Sequence, residues 1–164
     1  MGAGKTTIGK FLADELKLEF KDVDREIEVR AGVDIPWIFD QEGEPGFRVR
    51  EAAVLDEISQ LDDVLISTGG GAVMREDNRA LMRARGVVVY LHTSVAEQAR
   101  RTGRDRKRPL LQTGDPAQVL ANLMAVREPL YREVAHITVN TDSRGPKAVA
   151  HDLAQQIAAL QAAP

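Results

Sequence analysis

The 164-residue chain contains no cysteine, which excludes disulfide scaffolds, cysteine nucleophiles and thiolate metal sites. Its three histidines, His92, His136 and His151, are scattered without any metal-ligand spacing. Long apolar runs are absent too: the longest, residues 87–91, is far below the ~20 residues needed to cross a bilayer. There is no excess of positive charge, since 22 basic and 25 acidic residues leave a net charge of −3. That balance argues against a nucleic-acid or membrane-surface protein whose affinity rests on bulk charge. Internal repeats and low-complexity linkers are missing, and at 18.0 kDa the expectation is a single domain over residues 1–164. The opening Met1-Gly2-Ala3-Gly4-Lys5 is not a charged-then-apolar leader, so a soluble cytoplasmic protein is expected.

What is present alternates. Short β-branched apolar runs at 18–20, 64–66, 87–91 and 137–139 read as buried parallel strands, separated by stretches of helical periodicity. Ile8, Phe11, Leu12 and Leu16 share one helical face, as do Val149, Leu153, Ile157 and Leu160. Asn78, Arg79, Arg83 and Arg85 put polar groups opposite Leu81 and Met82, and Thr93 or Ser94 caps the helix after the third run. The pattern predicts an α/β fold: an open parallel sheet flanked by helices on both faces, with a ligand crevice at the carboxyl ends of the strands. The least regular stretch, 104–116, carries Pro109, Gly114 and Pro116 among many charges and suits a mobile flap.

The strongest chemical signal is Gly2-Ala3-Gly4-Lys5-Thr6-Thr7, running directly into the first amphipathic helix. Phosphate binding needs glycines that let backbone N–H groups close around oxygens, a helix N-terminus aimed at them, a lysine, and a hydroxyl for Mg²⁺. Those parts are all here, but the full pattern G-x-x-x-x-G-K-[ST] puts its first glycine upstream of Met1. The competing reading is a glycine-rich tail that happens to precede a helix.

Asp22 and Asp24 follow the first strand, where residues two apart in an extended chain point the same way. One can order a metal's water while the other accepts a proton from a hydroxyl; Asp24 alone reads equally as a helix cap. Thr68 and glycines 69, 70 and 71 close the second strand, as either a tight turn or a backbone wall against a ligand. The window 100–108 holds six basic residues and one acid, a local charge of +5 that leaves −8 for the rest of the chain. It contains no aromatic residue to stack bases, so it is either a solvated loop or a focus for small anionic phosphates. Arg48 and Arg127 are further candidates for fork-like carboxylate recognition.

Taken together, these residues resemble the shikimate kinase family of small P-loop kinases, over essentially the whole chain. The resemblance rests on Gly-Ala-Gly-Lys-Thr-Thr-Ile-Gly at 2–9, Asp-Val-Asp at 22–24, Glu-Pro-Gly-Phe-Arg at 44–48 and Ser-Thr-Gly-Gly-Gly-Ala-Val at 67–73. Arg-Pro-Leu-Leu at 108–111 and Arg-Glu-Pro-Leu-Tyr at 127–131 complete it. It implies a three-layer P-loop kinase fold and ATP-dependent phosphorylation of the 3-hydroxyl of shikimate, with Mg²⁺ as cofactor. By the resemblance, Gly2, Ala3, Gly4, Lys5, Thr6 and Thr7 bind ATP phosphates, with Lys5 catalytic, and Thr6 and Asp22 serve the metal. Asp24 binds the substrate hydroxyls and takes the proton; Arg48, Arg127 and glycines 69–71 surround the shikimate carboxylate. Arg101 and Pro146 cradle adenine, and Arg108 reaches the ATP phosphates from a flexible lid at about 102–116. A monomer is expected, with shikimate and ATP as its partners and neither nucleic acid nor membrane.

One departure stands out. Family members open with a strand and the loop's first glycine, a strand lying mid-sheet, so the expectation is a native chain starting about ten residues earlier. The rival readings are a kinase of gluconate or of a nucleoside monophosphate, and a catalytically silent nucleotide-binding regulatory domain.

Overall fold

The computed structural model describes residues 2–103 and 114–164. Its elements alternate along the chain: α1 (Lys5–Leu16), β1 (Glu19–Asp22), α2 (Val23–Ala31), α3 (Ile35–Ile58) and β2 (Val64–Ser67). A 3₁₀ turn at Ala72–Met74 then leads to α4 (Glu76–Arg85), β3 (Val89–His92), α5 (Val95–Thr102), α6 (Pro116–Val134), β4 (Ile137–Asn140) and α7 (Pro146–Ala162). Each strand run identified in the sequence forms a strand, displaced by up to two residues at its start.

All observed pairing is parallel. β1 runs beside β2 with Glu19 opposite Val64 and Asp22 opposite Ser67, and β3 beside β4 with Val89 opposite Ile137 and His92 opposite Asn140. Among the described residues no ladder joins the two pairs. Successive residues of a strand face opposite sides, and β2 shows the consequence: Leu65 packs with one apolar cluster and Ile66 with the other. The first cluster joins Ile8 and Leu12 of α1 to Val149, Leu153 and Ile157 of α7 over Ile137 and Val139. The second joins Val23 and Ile27 of α2 to Ile38, Phe47, Val54, Leu55 and Ile58 of α3. Helices therefore cover both faces of the strands, as the alternation implied.

Three side chains depart from the helical faces read in the sequence. Phe11 and Leu160 are 39% and 43% exposed, because Ile8, Leu12, Leu153 and Ile157 already fill the α1–α7 seam. Asn78, expected on a polar face, is buried and donates from Nδ2 to the Ala72 carbonyl at 2.9 Å, fastening the 3₁₀ turn to α4. Of the two candidate caps, Ser94 receives the Glu97 N–H, while Thr93 is buried in a 2.6 Å hydroxyl pair with Thr141.

α3 is interrupted on the way to the site. Asp34 caps its start by accepting from Trp37 N–H, but Gly43 takes φ 70°, ψ 178°, and Pro45 follows. A left-handed φ suits glycine, and proline suits a first turn rather than a helix interior. The break re-aims the chain, so that Glu44, Arg48 and Glu51 lie along one face of the second half, spaced three and four apart.

Candidate active site

The carboxyl ends of the four parallel strands deliver Asp22, Ser67, His92 and Asn140, and the candidate residues gather just beyond them. On one side is the glycine loop. Gly2 and Gly4 both have left-handed φ, 66° and 81°, and Gly4 precedes α1 without any side-chain cap. The first N–H groups of α1 thus keep no side-chain partner at Gly4, and the alternation of backbone handedness makes a concave array of amides suited to an anion. Glycine also suits position 2 on steric grounds, since its φ is left-handed and a Cβ there would lie 3.2 Å from the Gln98 carbonyl oxygen and 3.1 Å from the Thr102 side chain, tighter than ordinary contact. Arg101 anchors the loop from behind: its guanidinium donates to the Gly2 carbonyl at 2.9 Å and to the Thr141 carbonyl at 3.3 Å, while pairing with Glu97. This places Arg101 beside the segment that leads through Thr141 to exposed Pro146 at the start of α7.

Asp22 and Asp24 separate in role. The strand ends at Asp22, whose carboxylate caps α2 by accepting from Arg25 N–H at 3.2 Å. Asp24 therefore sits in the first turn of α2 rather than in extended chain, which corrects both the expected geometry and the reading of Asp24 as the cap. Burial raises the Asp24 pKa, reinforced by Asp22 and opposed by Lys5 and Arg48. The four groups are thus close enough to feel one another. Asp24 Oδ1 is buried, without a hydrogen-bond partner among the described residues.

A second cluster surrounds Glu51, which is fully buried and which sequence reading passed over. Arg48 donates to Glu51 Oε1 at 2.8 Å and to Glu44 Oε1 at 3.1 Å. Burial disfavours the Arg48 charge, but the two glutamates outweigh it and raise its pKa. Arg127 is 5% exposed and acts on Glu51 from α6. Burial nonetheless dominates at Glu51 and raises its pKa, with Arg48 and Arg127 opposing and Asp24 reinforcing. Among the described residues its Oε2 has no hydrogen-bond partner, like Asp24 Oδ1, and the two oxygens flank Gly69: a Cβ there would lie 3.0 Å from the first and 3.3 Å from the second. Two orphaned carboxylate oxygens beside a bare backbone leave unmet acceptor capacity that hydroxyl groups of a bound molecule could fill.

Glycines 69–71 form the turn between these groups. Gly69 accepts from Ala72 N–H, Gly71 from Met74 N–H, and the Gly70 carbonyl accepts from the Tyr131 hydroxyl at 2.6 Å. Tyr131 is the second residue to which the sequence assigned no role. The spacing Arg48 to Glu51, one helical turn, was the available signal for Glu51; nothing local pointed to the distant partner of Tyr131.

The structure therefore brings Lys5, Asp22, Asp24, Arg48, glycines 69–71 and Arg127 to one crevice, with Arg101 behind the glycine loop. Arg108 and most of the expected lid lie outside the described residues; of its ends, Thr102 is buried and closes α5, and Pro116 opens α6. The donors offered to a metal are a hydroxyl at the α1 N-terminus, Thr6, and the carboxylate of Asp22. Among the described residues no cluster of three acidic or histidine side chains could hold an ion unaided. Such a hard, sparse oxygen set fits Mg²⁺, which keeps waters and takes one or two protein ligands together with phosphate oxygens.

Comparison with known proteins points one way. The shikimate kinase family model matches residues 1–158. A shikimate kinase of Pseudomonas syringae is 58% identical over 160 residues, covering 98% of this chain and 93% of the relative. One from Chromohalobacter salexigens is 61% identical over 153 residues, covering 93% and 85% respectively. Among solved structures, shikimate kinase from Acinetobacter baumannii in complex with shikimate superposes with a TM-score of 0.97 at 48% identity, covering 99% of this chain and 91% of that one.

Proposed function

The chain belongs to the shikimate kinase family, and on that premise we propose that it phosphorylates the 3-hydroxyl of shikimate with ATP, giving shikimate 3-phosphate and ADP. The observation that carries the reading is the pairing of Arg48 with the buried Glu51 beside glycines 69–71, with Asp24 facing the same turn and the buried Arg127 close enough to act on the same carboxylate. Two largely buried guanidiniums suit a small carboxylate, and orphaned carboxylate oxygens suit its hydroxyls.

In this reading the substrate carboxylate meets Arg48 and Arg127. Asp24 receives the proton of the 3-hydroxyl as that oxygen attacks the γ-phosphorus, and the bond from phosphorus to the β–γ bridging oxygen breaks with its electrons leaving on ADP. The raised Asp24 pKa makes it a better proton acceptor than an ordinary carboxylate while leaving Lys5 close enough to restrain the shift. The amides of Gly2 to Thr7 and the Lys5 ammonium hold the phosphates. Thr6 and Asp22 would hold Mg²⁺, which when bound offsets phosphate charge. Arg101 and Pro146 flank the adenine, and Arg108 completes the charge neutralisation from the lid. We further propose a cytoplasmic monomer without nucleic-acid or membrane partners. Among its exposed large apolar side chains, Val29, Trp37 and Val126 stand on three different helices, and no described helix is long and apolar enough to cross a membrane.

A coupled ADP-release assay with shikimate, gluconate and nucleoside monophosphates tests the proposal. Turnover with shikimate alone is expected. Turnover with another acceptor would replace the substrate, and release with none would favour a silent nucleotide-binding domain.

A further inference from the structure

Tyr131 closes the Arg-Glu-Pro-Leu-Tyr run, and the phosphoryl transfer described above makes no use of it. Its side chain nonetheless reaches from α6 to the glycine turn, donating to the Gly70 carbonyl at 2.6 Å across 61 positions of sequence. That carbonyl belongs to the peptide unit between Gly70 and Gly71, and a unit flanked by two residues without Cβ atoms can turn over at small steric cost. In a planar trans peptide the N–H points opposite the C=O, so fixing the Gly70 oxygen also fixes the Gly71 amide. Gly71 is the surface on which the Arg48 guanidinium rests, with a built Cβ falling 2.5 Å from Arg48 Cζ. The same tyrosine feels Arg127: burial raises its pKa, and the Arg127 guanidinium is the foremost opposing influence. The phenol is accordingly a protonated donor at neutral pH.

The ring itself is held by other means. It packs on Tyr90 with centroids 4.9 Å apart and planes at 30°, so its position does not depend on the hydroxyl. We propose that Tyr131 is a positioning residue for the substrate carboxylate, its hydroxyl pinning the Gly70–Gly71 peptide beneath the Arg48 guanidinium so that Arg48 holds one geometry. The proposal rests on the reading of this crevice as the shikimate site.

The test is Tyr131→Phe, which deletes one oxygen and keeps the ring. We expect KM for shikimate to rise about tenfold, the upper end of what a single lost hydrogen bond gives, with kcat and KM for ATP within about twofold. Calorimetric titration of shikimate without nucleotide should show the same loss in Kd. A purely structural role would lower kcat, both affinities and the melting temperature together, and that pattern would overturn the proposal. An unchanged KM and Kd for shikimate would overturn it as well. Wild-type enzyme in the same series separates the two readings: an active wild type with an unaffected variant removes only the role of Tyr131, whereas a wild type inactive on shikimate removes the substrate reading and this proposal with it.

Discussion

Gly71 lies directly beneath the Arg48 guanidinium, leaving no room for a side chain: a Cβ would fall 2.6 Å from Nη1 and closer still to Nη2. A flexible arginine could swing aside, but this one is gripped by Glu44 and Glu51 and its side chain is only 14% exposed. Gly71→Ala should therefore push the guanidinium off its partners. The expected result is a shikimate KM raised at least tenfold with KM for ATP unaffected. A variant with wild-type KM would show that Arg48 can relocate without consequence.

Direct removal of either arginine should cost more. Arg48→Ala leaves the fully buried Glu51 without its 2.8 Å partner, and Arg127→Ala removes a 5% exposed cation from the same carboxylate. A desolvated charge contact of this kind is worth about 2–5 kcal/mol, so kcat/KM for shikimate should fall by roughly thirtyfold or more in each variant. Steady-state kinetics at varied shikimate checks this; unchanged KM and kcat in both would take the pair out of the site.

Much of the candidate site is legible in the sequence because its residues stand in short runs. Glycine, lysine and hydroxyl stand together at 2–7, and the triple glycine ends a strand, so spacing alone places backbone amides and charges. What escaped reading depends on contacts between distant segments. Glu51 joins the candidate site only when α3 breaks at Gly43, and Tyr131 only when α6 returns to the turn after β2. Asp24 was misplaced for a local reason. A strand end and a helix start meet at Asp22, and its capping bond to Arg25 starts the helix before Asp24 can extend the strand. Helical periodicity likewise marks which residues can share a face but not how wide a seam the partner helix covers, which is why Phe11 and Leu160 remain exposed.

The fold's own tolerance can be probed at Gly9. On the buried face of α1, a Cβ at this position would sit 2.7 Å from the Phe20 ring and 3.5 Å from Leu65. α1 can approach β1 and β2 this closely only with glycine there. Ala has the better helix propensity, by about 1 kcal/mol, yet overpacking of a ring against a strand costs about 1–3 kcal/mol. The net expectation for Gly9→Ala is a melting temperature several degrees below wild type, read by thermal unfolding. A stabilised variant would mean that the α1–β1 contact has slack.

Asp24 couples activity to stability with opposite signs. Its pKa in the folded protein is raised above the usual 3.8, chiefly by burial, so the native state holds the proton more tightly than the unfolded chain does. The stability tied to this group is present below 3.8, where both states are protonated, and is lost as pH rises through the folded pKa. Asp24→Asn removes that penalty. The variant should melt above wild type at neutral pH, and the advantage should shrink as pH is lowered toward the ordinary carboxylate range. It also removes the proton acceptor, so kcat should fall by about 10²–10⁴ while ATP still binds with near-normal affinity. Melting curves at neutral and acidic pH, run beside single-turnover kinetics and nucleotide titration, read both effects. Near-normal turnover would dismiss Asp24 as the base, and a variant less stable than wild type at neutral pH would mean that Lys5 and Arg48 repay its burial in full.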